Sequence, residues 1–369
     1  MKITAIRVYQ TSLPYVDPKG YAWGAGNVIK DARSTVVEIE TDAGLKGVGE
    51  FTPCGENYMV AHSAGVVAAA EILAPKLLGE DPRQVSRLER LMDNVIDGHG
   101  YAKAPFDAAF WDIFGQSTGQ PVWMLLGGKQ CDGAPMYRVA PQDDPDMLGA
   151  HLDRLRGMGY RQFQIKVGAD WVRDIDRIRE AVPHLKAGEK AMADANRGWR
   201  LDNALRVARA TRDLDYIMEQ PCYTYEECLA VRRQVDLPMK LDEVVTGIHM
   251  ARQIVNDRAA EICCLKISNL GGLSKARRVR DFLIDHGISV VSEDTWGGEI
   301  TSAAVSHFAA STPAEMLINS TDLHNYVTRS TGQPGPETRE GKLYAADAPG
   351  LGVFADYESL GAPIAVYAA

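Results

Sequence analysis

Five charged residues stand at the ends of five consecutive apolar segments in the middle of the chain. They are Lys166, Asp194, Glu219, Asp242 and Lys266, and they are separated by 28, 25, 23 and 24 residues. Each interval has the length of one strand, one helix and the turns that join them. Because the parallel strands of a closed barrel all end at the same rim, the spacing predicts that these five side chains converge on one opening.

The three central residues of this set are carboxylic acids, and a lysine flanks them on either side. Carboxylates that share a partly dry cavity repel one another and raise one another's pKa. A divalent cation removes that repulsion, and a set of oxygen ligands favours Mg²⁺. A lysine beside a metal cation and another ammonium loses part of its preference for the charged form, so it can act as a base. The pattern therefore predicts proton transfer at a magnesium site.

Other interpretations of these residues exist. A single acid or lysine at a strand end is ordinarily a loop residue, a helix cap or a salt-bridge partner. Lys266 could instead form a Schiff base, as the lysine of a barrel aldolase does, but that chemistry needs no metal and gives the three acids no role. A barrel that has kept its fold as a binding subunit is a third possibility. The order of a lysine, three acids and a lysine at matched spacing favours the shared catalytic site.

The elements that position these residues change character near residue 130. Before it, residues 1–11 and 34–51 alternate apolar and polar residues as strands do, and Asp42-Ala43-Gly44 supplies a hairpin turn. Apolar-rich helical segments follow at about residues 62–79, 84–97 and 103–118. Strands followed by helices are typical of an α+β unit.

From Gly133 onward, eight apolar strand candidates alternate with seven helix-like segments. This alternation predicts an α/β fold whose main part is a (β/α)7β barrel, a modified TIM barrel, with an open doubly wound sheet as the structural alternative. A stretch rich in Gly and Pro, residues 329–352, comes after the last strand. We expect three parts: an α+β capping domain (1–128), the barrel (129–325) and a C-terminal segment (326–369) that returns to the capping domain.

Composition narrows the class of protein further. The chain has 369 residues with 40 basic and 49 acidic side chains and a net charge of −9, without a basic block, which argues against nucleic-acid binding. It contains no apolar run of membrane-spanning length and no signal-peptide pattern at its start. The six cysteines are scattered without a CxxC pair, which argues against a zinc site. We expect a cytoplasmic homo-oligomeric enzyme that acts on a small molecule, with reduced thiols.

Several motifs carry a resemblance that extends along the whole chain. QIKVG, DANRGW, EQPC, LDEV, LKISNLGG and EDTWGG resemble the enolase superfamily, in its muconate-lactonizing-enzyme subgroup. The resemblance implies that Mg²⁺ is bound by Asp194, Glu219 and Asp242, and that Lys166 and Lys266 face opposite sides of the substrate's α-carbon. It also implies residues that support the ligands and lysines from outside, namely Gln164, Asn196 and Glu243.

One position departs from the pattern of the subgroup. The second barrel strand usually carries Lys-x-Lys, whereas this chain has Gln164-Ile165-Lys166. The lysine that corresponds to the acid–base group is present. Gln164 can form hydrogen bonds but brings no charge, so the usual tuning of that lysine is weakened.

Within the subgroup, GENYMVAHSAG, GHGYAKAPFDAAFWD, EQPCYTYEE and SEDTWGGEI are most similar to enzymes that act on proline derivatives. This implies dehydration of cis-3-hydroxy-L-proline to Δ1-pyrroline-2-carboxylate, or alternatively 2-epimerisation of proline betaine or 4-hydroxyproline betaine. Lys166 would be the base for an L substrate and Lys266 the acid. The same similarity implies a substrate pocket that contains Tyr21, Trp23, Tyr58, Glu293, Asp294 and Trp296. For Tyr21, Trp23 and Tyr58, a role in packing alone is an equal alternative.

Overall fold

The N-terminal part of the chain combines an antiparallel sheet with helices. The structure, a computed structural model, describes residues 1–24, 26–140 and 148–368. The first elements are β1 (Ile3–Pro14), β2 (Tyr21–Trp23), β3 (Asn27–Ile29), β4 (Asp31–Thr41), β5 (Lys46–Phe51), α1 (Ser63–Leu77), α2 (Val85–Val95), α3 (Gly100–Thr118) and α4 (Val122–Leu125). Strands β1, β4 and β5 pair antiparallel, and Gly49 in β5 lets the backbone of α3 approach closely, because a Cβ there would lie 1.9 Å from the carbonyl oxygen of Pro105.

An eight-stranded parallel sheet forms the larger part of the molecule. Its strands are β7 (Tyr137–Ala140), β8 (Gln162–Lys166), β9 (Lys190–Asp194), β10 (Ile217–Glu219), β11 (Met239–Leu241), β12 (Ile262–Lys266), β13 (Ser289–Glu293) and β14 (Leu317–Ser320). They lie side by side in chain order, and a parallel bridge between Met136 and Ser320 joins the two edges. The predicted α/β barrel is confirmed.

Helices cover the outside of the barrel between successive strands. They are α5 (Leu148–Gly157), α6 (Trp171–Ala181), α7 (Leu201–Ala210), α8 (Tyr225–Arg232), α9 (Ile248–Asp257), α10 (Ile267–Leu270), α11 (Leu273–Asp285) and α12 (Glu299–Ala310). Local sequence explains where they begin: the Asp170 side chain caps α6, and Thr224 with Glu227 forms a capping box at α8. Within the described residues, no helix is long and apolar enough to cross a bilayer.

Short elements follow the last barrel strand and lead to the N-terminal sheet. They are β15 (Gly332–Gln333), β16 (Glu337–Arg339), β17 (Lys342–Tyr344), β18 (Phe354–Ala355), α13 (Tyr357–Leu360) and β19 (Ala365–Ala368). Strand β6 (Ala134–Pro135), which precedes the barrel, pairs with β17. Two 3-10 helices cover Val182–His184 and Leu323–Tyr326. Strand β19 pairs antiparallel with β1, so residues from both ends of the chain share one sheet.

Candidate active site

A row of charged side chains crosses four neighbouring barrel strands. Lys166 is the strand partner of Asp194, Asp194 that of Glu219, and Glu219 that of Lys240. Partners on adjacent parallel strands project to the same side of the sheet. All four residues are at most 4% exposed. The barrel therefore holds, in a single layer, a lysine, two carboxylates and a second lysine.

The first pair of this row is fixed by an asparagine. Lys166 Nζ lies 2.6 Å from Asp194 Oδ2 and 2.9 Å from Asn196 Oδ1. The backbone of Asn196 is left-handed (φ 43°), and its N–H donates to Asp194 Oδ1 at 2.8 Å. Its side-chain amide donates to Glu243 Oε1 at 3.1 Å. Asn196 therefore orients both the lysine and the first carboxylate.

The other lysine of the predicted pair lies among a different set of groups. Lys266 Nζ is 2.5 Å from Asp242 Oδ1 and 3.1 Å from Glu293 Oε1. The Tyr58 hydroxyl donates to the second oxygen of Asp242 at 3.3 Å, and Tyr137 donates to Glu293 at 3.0 Å. Lys266 thus has its own acidic partners, separate from those of the lysine on β8.

Glu219 is contacted from both sides. Lys240 Nζ lies 2.7 Å from its Oε1 atom, and the Gln164 amide donates to its Oε2 atom at 3.1 Å. The ammonium of Lys240 is in ion-pair range but outside hydrogen-bond geometry, so Glu219 Oε1 and Lys240 Nζ have no hydrogen-bond partner among the described residues. Lys240 is not among the site residues predicted from the sequence.

The carboxylates in this site repel one another. Burial, together with the charges of Asp194 and Asp242, raises the pKa of Glu219 to about 7. Burial and the same two charges raise the pKa of Glu243 to about 8. Burial favours the neutral amine of Lys166, but the charges of Asp194 and Glu219 and the hydrogen bond to Asp194 together outweigh it and raise the pKa of that lysine well above its ordinary value. In the absence of another cation, the lysines stay protonated and some of the acids do as well.

Full ionisation of its buried groups would leave the site with a net negative charge. The buried carboxylates are Asp194, Glu219, Asp242, Glu243, Glu293 and Asp294, and the cations beside them are Lys166, Lys240, Lys266 and Arg197. If all ten of these described groups are ionised, two negative charges are left over, and one divalent cation would balance them. The residues present therefore fit such an ion.

The position of an ion can be judged from the donor atoms. Asp242, Cys264 and Glu293 have donor atoms that all lie within 4.8 Å of one another. Burial raises the pKa of Cys264 well above its ordinary value, so its sulfur is a neutral thiol, which is a poor ligand for Mg²⁺. Each of the three acids predicted as ligands contacts a lysine. Those three acids offer only oxygen atoms, whereas the group around Cys264 includes a thiol.

A cavity adjoins these groups. Its walls include Tyr21, Trp23, Tyr58, Glu293 and Trp296 together with residues that the sequence analysis missed, which are Cys54, Tyr137, Val139, Thr295, Thr321, Leu323 and Tyr326. Lys166, Asp194, Asn196, Gln164 and Asp242 also line it. Asp294, which was predicted to lie in the substrate pocket, is not among the residues that line this cavity. Its carboxylate accepts hydrogen bonds from the backbone N–H groups of Ser268 and Thr295.

Aromatic rings form one wall of the cavity. The Trp296 ring centroid lies 4.7 Å from that of Tyr21 and 5.5 Å from that of Tyr326. The indole N–H groups of Trp23 and Trp296 are buried and have no hydrogen-bond partner in the described part of the chain, so they can donate to a ligand. The wall thus offers an apolar surface with unused donors.

Arg138 holds Tyr326 in this wall. Its guanidinium lies 4.7 Å from the Tyr160 ring centroid and 4.8 Å from that of Tyr326, and it donates to Asp322 at 2.7 Å. Asp322 immediately precedes the 3-10 turn that carries Tyr326.

A barrel of parallel strands with paired lysines and buried acids at its mouth defines the class of protein. Residues 9–127 match the family described as "Mandelate racemase / muconate lactonizing enzyme, N-terminal domain", and residues 147–359 match "Enolase C-terminal domain-like". The chain belongs to the enolase superfamily, in its mandelate racemase/muconate-lactonizing-enzyme group, as the sequence motifs predicted.

Individual relatives are similar over the full length. Cis-3-hydroxy-L-proline dehydratase of Roseibium aggregatum is 43% identical, with 100% of both chains covered. A mandelate racemase/muconate lactonizing enzyme structure from Roseovarius nubinhibens ISM is 72% identical, with a TM-score of 0.97 over 100% of this chain and 99% of that one. A second Roseovarius nubinhibens ISM structure, complexed with magnesium, is 33% identical, with a TM-score of 0.94 and 100% coverage of both chains. Further curated relatives are racemases and epimerases of the same superfamily.

Proposed function

We propose that this protein removes the proton next to the carboxylate of a proline derivative in the presence of Mg²⁺, and that it dehydrates cis-3-hydroxy-L-proline to Δ1-pyrroline-2-carboxylate. The observation that carries this proposal is the 43% identity, over the full length of both chains, to a cis-3-hydroxy-L-proline dehydratase. The site supports it with two buried lysines that have separate acidic partners.

Asp194, Glu219 and Asp242 would hold the metal ion. When bound, Mg²⁺ would offset the excess negative charge of the site and stabilise the charge that develops on the carboxylate oxygens of the substrate. The fit rests on the net charge of the buried groups and on the oxygen-only donor set.

The two lysines would divide the proton transfers between them. Lys166 would take the α-proton as a neutral amine, a form that the charge of a bound divalent cation would favour, and the electron pair of that C–H bond would form the C2=C3 double bond. Lys266 is held protonated beside Asp242 and Glu293, and it gives a proton to the 3-hydroxyl group while the C3–O bond breaks and water leaves. The enamine product then tautomerises to Δ1-pyrroline-2-carboxylate.

The stereochemistry of the substrate suits this division of roles. In cis-3-hydroxy-L-proline the hydroxyl group lies on the same face of the ring as the carboxylate, and therefore opposite the α-hydrogen. An acid and a base on opposite faces of the ring are what an anti elimination requires.

The alternative function is 2-epimerisation of a proline betaine or a hydroxyproline betaine. It uses the same two lysines, because the second lysine returns a proton to the α-carbon instead of protonating a leaving hydroxyl group. The racemases and epimerases among the relatives favour this alternative. The aromatic wall also suits a quaternary ammonium group.

An NMR assay in D₂O with Mg²⁺ distinguishes the two reactions. The substrates are proline, both 3-hydroxyprolines, 4-hydroxyproline and their N-methylated forms, and the signals followed are loss of water and deuterium at the α-carbon. We expect water loss from cis-3-hydroxy-L-proline. Deuterium uptake by a betaine without any dehydration would support epimerisation instead.

Two lysine variants test the roles of the individual residues. Lys166→Ala and Lys266→Ala should each lower turnover by at least about 100-fold, because each removes an acid–base group. Exchange of the α-proton that survives in only one variant identifies the base as the lysine that this variant retains. Lys103→Met is the matched control, since Lys103 is a buried lysine paired with Asp93 outside the barrel. Full turnover in either alanine variant would contradict the two-lysine scheme.

A further inference from the structure

The proposed chemistry leaves one buried lysine of the barrel without a role. Lys240 lies on β11 and is 0% exposed. Its ammonium group points at Glu219, and Lys240 is not among the residues that line the cavity. Placing an ammonium group in a barrel interior is expensive unless a specific partner compensates for it. For Lys240, that partner is Glu219.

The contacts of Glu219 show how this carboxylate is held. The ammonium group of Lys240 approaches one oxygen at 2.7 Å from the neighbouring strand, and the Gln164 amide donates to the other oxygen at 3.1 Å from β8. Glu219 and Lys240 are direct strand partners in the parallel sheet. The direction of the carboxylate is therefore set by two residues that flank it, only one of which carries a charge.

We propose that Lys240 is a positioning residue for Glu219, holding its carboxylate, together with Gln164, in the direction needed to bind the divalent cation. The inference rests on the proposed function in one respect, which is that Glu219 is a metal ligand. Groups that orient a metal ligand from behind typically change metal affinity by about 10- to 100-fold when they are removed. Lys240 acts through Glu219 and not on the reacting atoms.

The geometry also implies that the positively charged partner of Glu219 can come from either flanking strand, β8 or β11. Positions 164 and 240 both reach the carboxylate of Glu219, one at each oxygen. A lysine at position 164 can therefore supply the ammonium group when position 240 has none. The pair of substitutions Gln164→Lys and Lys240→Met tests whether one cation, from either side, is what Glu219 requires.

The test measures Mg²⁺ binding without substrate. Isothermal titration calorimetry gives the Mg²⁺ dissociation constant of the wild type, Lys240→Met and Gln164→Lys/Lys240→Met, and thermal unfolding in EDTA gives the stability of each. We expect Lys240→Met to bind Mg²⁺ about 10- to 100-fold more weakly and the double variant to recover most of that loss. Lys103→Met removes the ion pair between the buried Lys103 and the partly exposed Asp93, outside the barrel. It should lower the unfolding temperature without changing Mg²⁺ affinity.

Each other outcome counts against the proposal. Unchanged or tighter Mg²⁺ binding by Lys240→Met would overturn it, and so would a folded double variant that binds no better than the single one. If Lys240→Met does not fold, Lys240→Gln replaces it, and failure of both to fold would make Lys240 a requirement of the barrel and not of the site. A wild type that binds no Mg²⁺ would refute the proposed function itself, whereas normal binding by wild type and Lys240→Met alike would refute this inference alone.

Discussion

Acidification should lower the free energy of unfolding of this protein because of one buried histidine. His307 lies in α12, where its Nδ1 atom accepts a hydrogen bond from the Trp123 amide at 3.1 Å and its Nε2 atom donates to the Leu351 carbonyl at 3.0 Å. An imidazole that accepts at one nitrogen and donates at the other is neutral. Burial lowers its pKa from 6.5 to about 4, and the bond to Leu351 only partly opposes this.

The sign and size of the effect follow from these values. In the unfolded chain the ring takes up a proton near pH 6.5, whereas in the folded protein it does so only near pH 4. The contribution of neutral His307 to the unfolding free energy is therefore complete above pH 6.5 and is lost as the pH falls toward 4. The difference between the two pKa values corresponds to about 3 kcal/mol of unfolding free energy.

Urea unfolding of the wild type and His307→Gln, from about pH 4.5 to 7.5, measures this contribution. Glutamine also offers an acceptor and a donor but does not titrate. We expect the unfolding free energy of the wild type to fall relative to that of His307→Gln as the pH falls. The buried acids Asp107 and Asp112, with pKa values raised by burial to about 7 and about 6, change stability in the opposite direction but occur in both proteins. A difference that is constant with pH would refute the reasoning.

Two further predictions concern the metal and the cavity wall. EDTA should abolish exchange of the α-proton of the substrate and Mg²⁺ should restore it; exchange that persists in EDTA would contradict a metal-dependent reaction. Arg138→Lys keeps the charge but loses the planar stack on Tyr326 and the paired hydrogen bonds to Asp322. It should therefore raise KM several-fold at nearly unchanged kcat, and steady-state kinetics showing the loss mainly in kcat would contradict this role.

The barrel could be predicted from the sequence because its strands are short apolar segments buried on both faces, as Ile262–Lys266 is at every position. The exact bounds of the helices and the pairing of short strands were harder to predict. The helix expected at 103–118 begins at Gly100, and the residue before it, His99, is its N-cap with a left-handed backbone. The small sheet in which Ala134 pairs with Leu343 depends on a partner far along the chain, which no local pattern reveals. The domain boundaries at residues 128 and 325 stay predictions.

In the site, the five charged residues could be found because each stands at or beside the end of a strand. Lys240 was missed although it lies two residues before Asp242 and therefore on the same side of its strand, so alternate spacing was a usable signal. Tyr326 gave no such signal, because its position depends on a short turn and on the side chain of Arg138. Whether the acids bind metal stays a prediction that the binding experiments will test.

The order of strands around β1 has a consequence for synthesis of the protein in the cell. One neighbour of β1 is β4, but the other is β19, which leaves the ribosome only after every barrel strand. Until then β1 presents a row of unpaired backbone groups to other chains. Loss of residues 365–368 would leave that row permanently open, so truncated products should aggregate even when their barrel is complete.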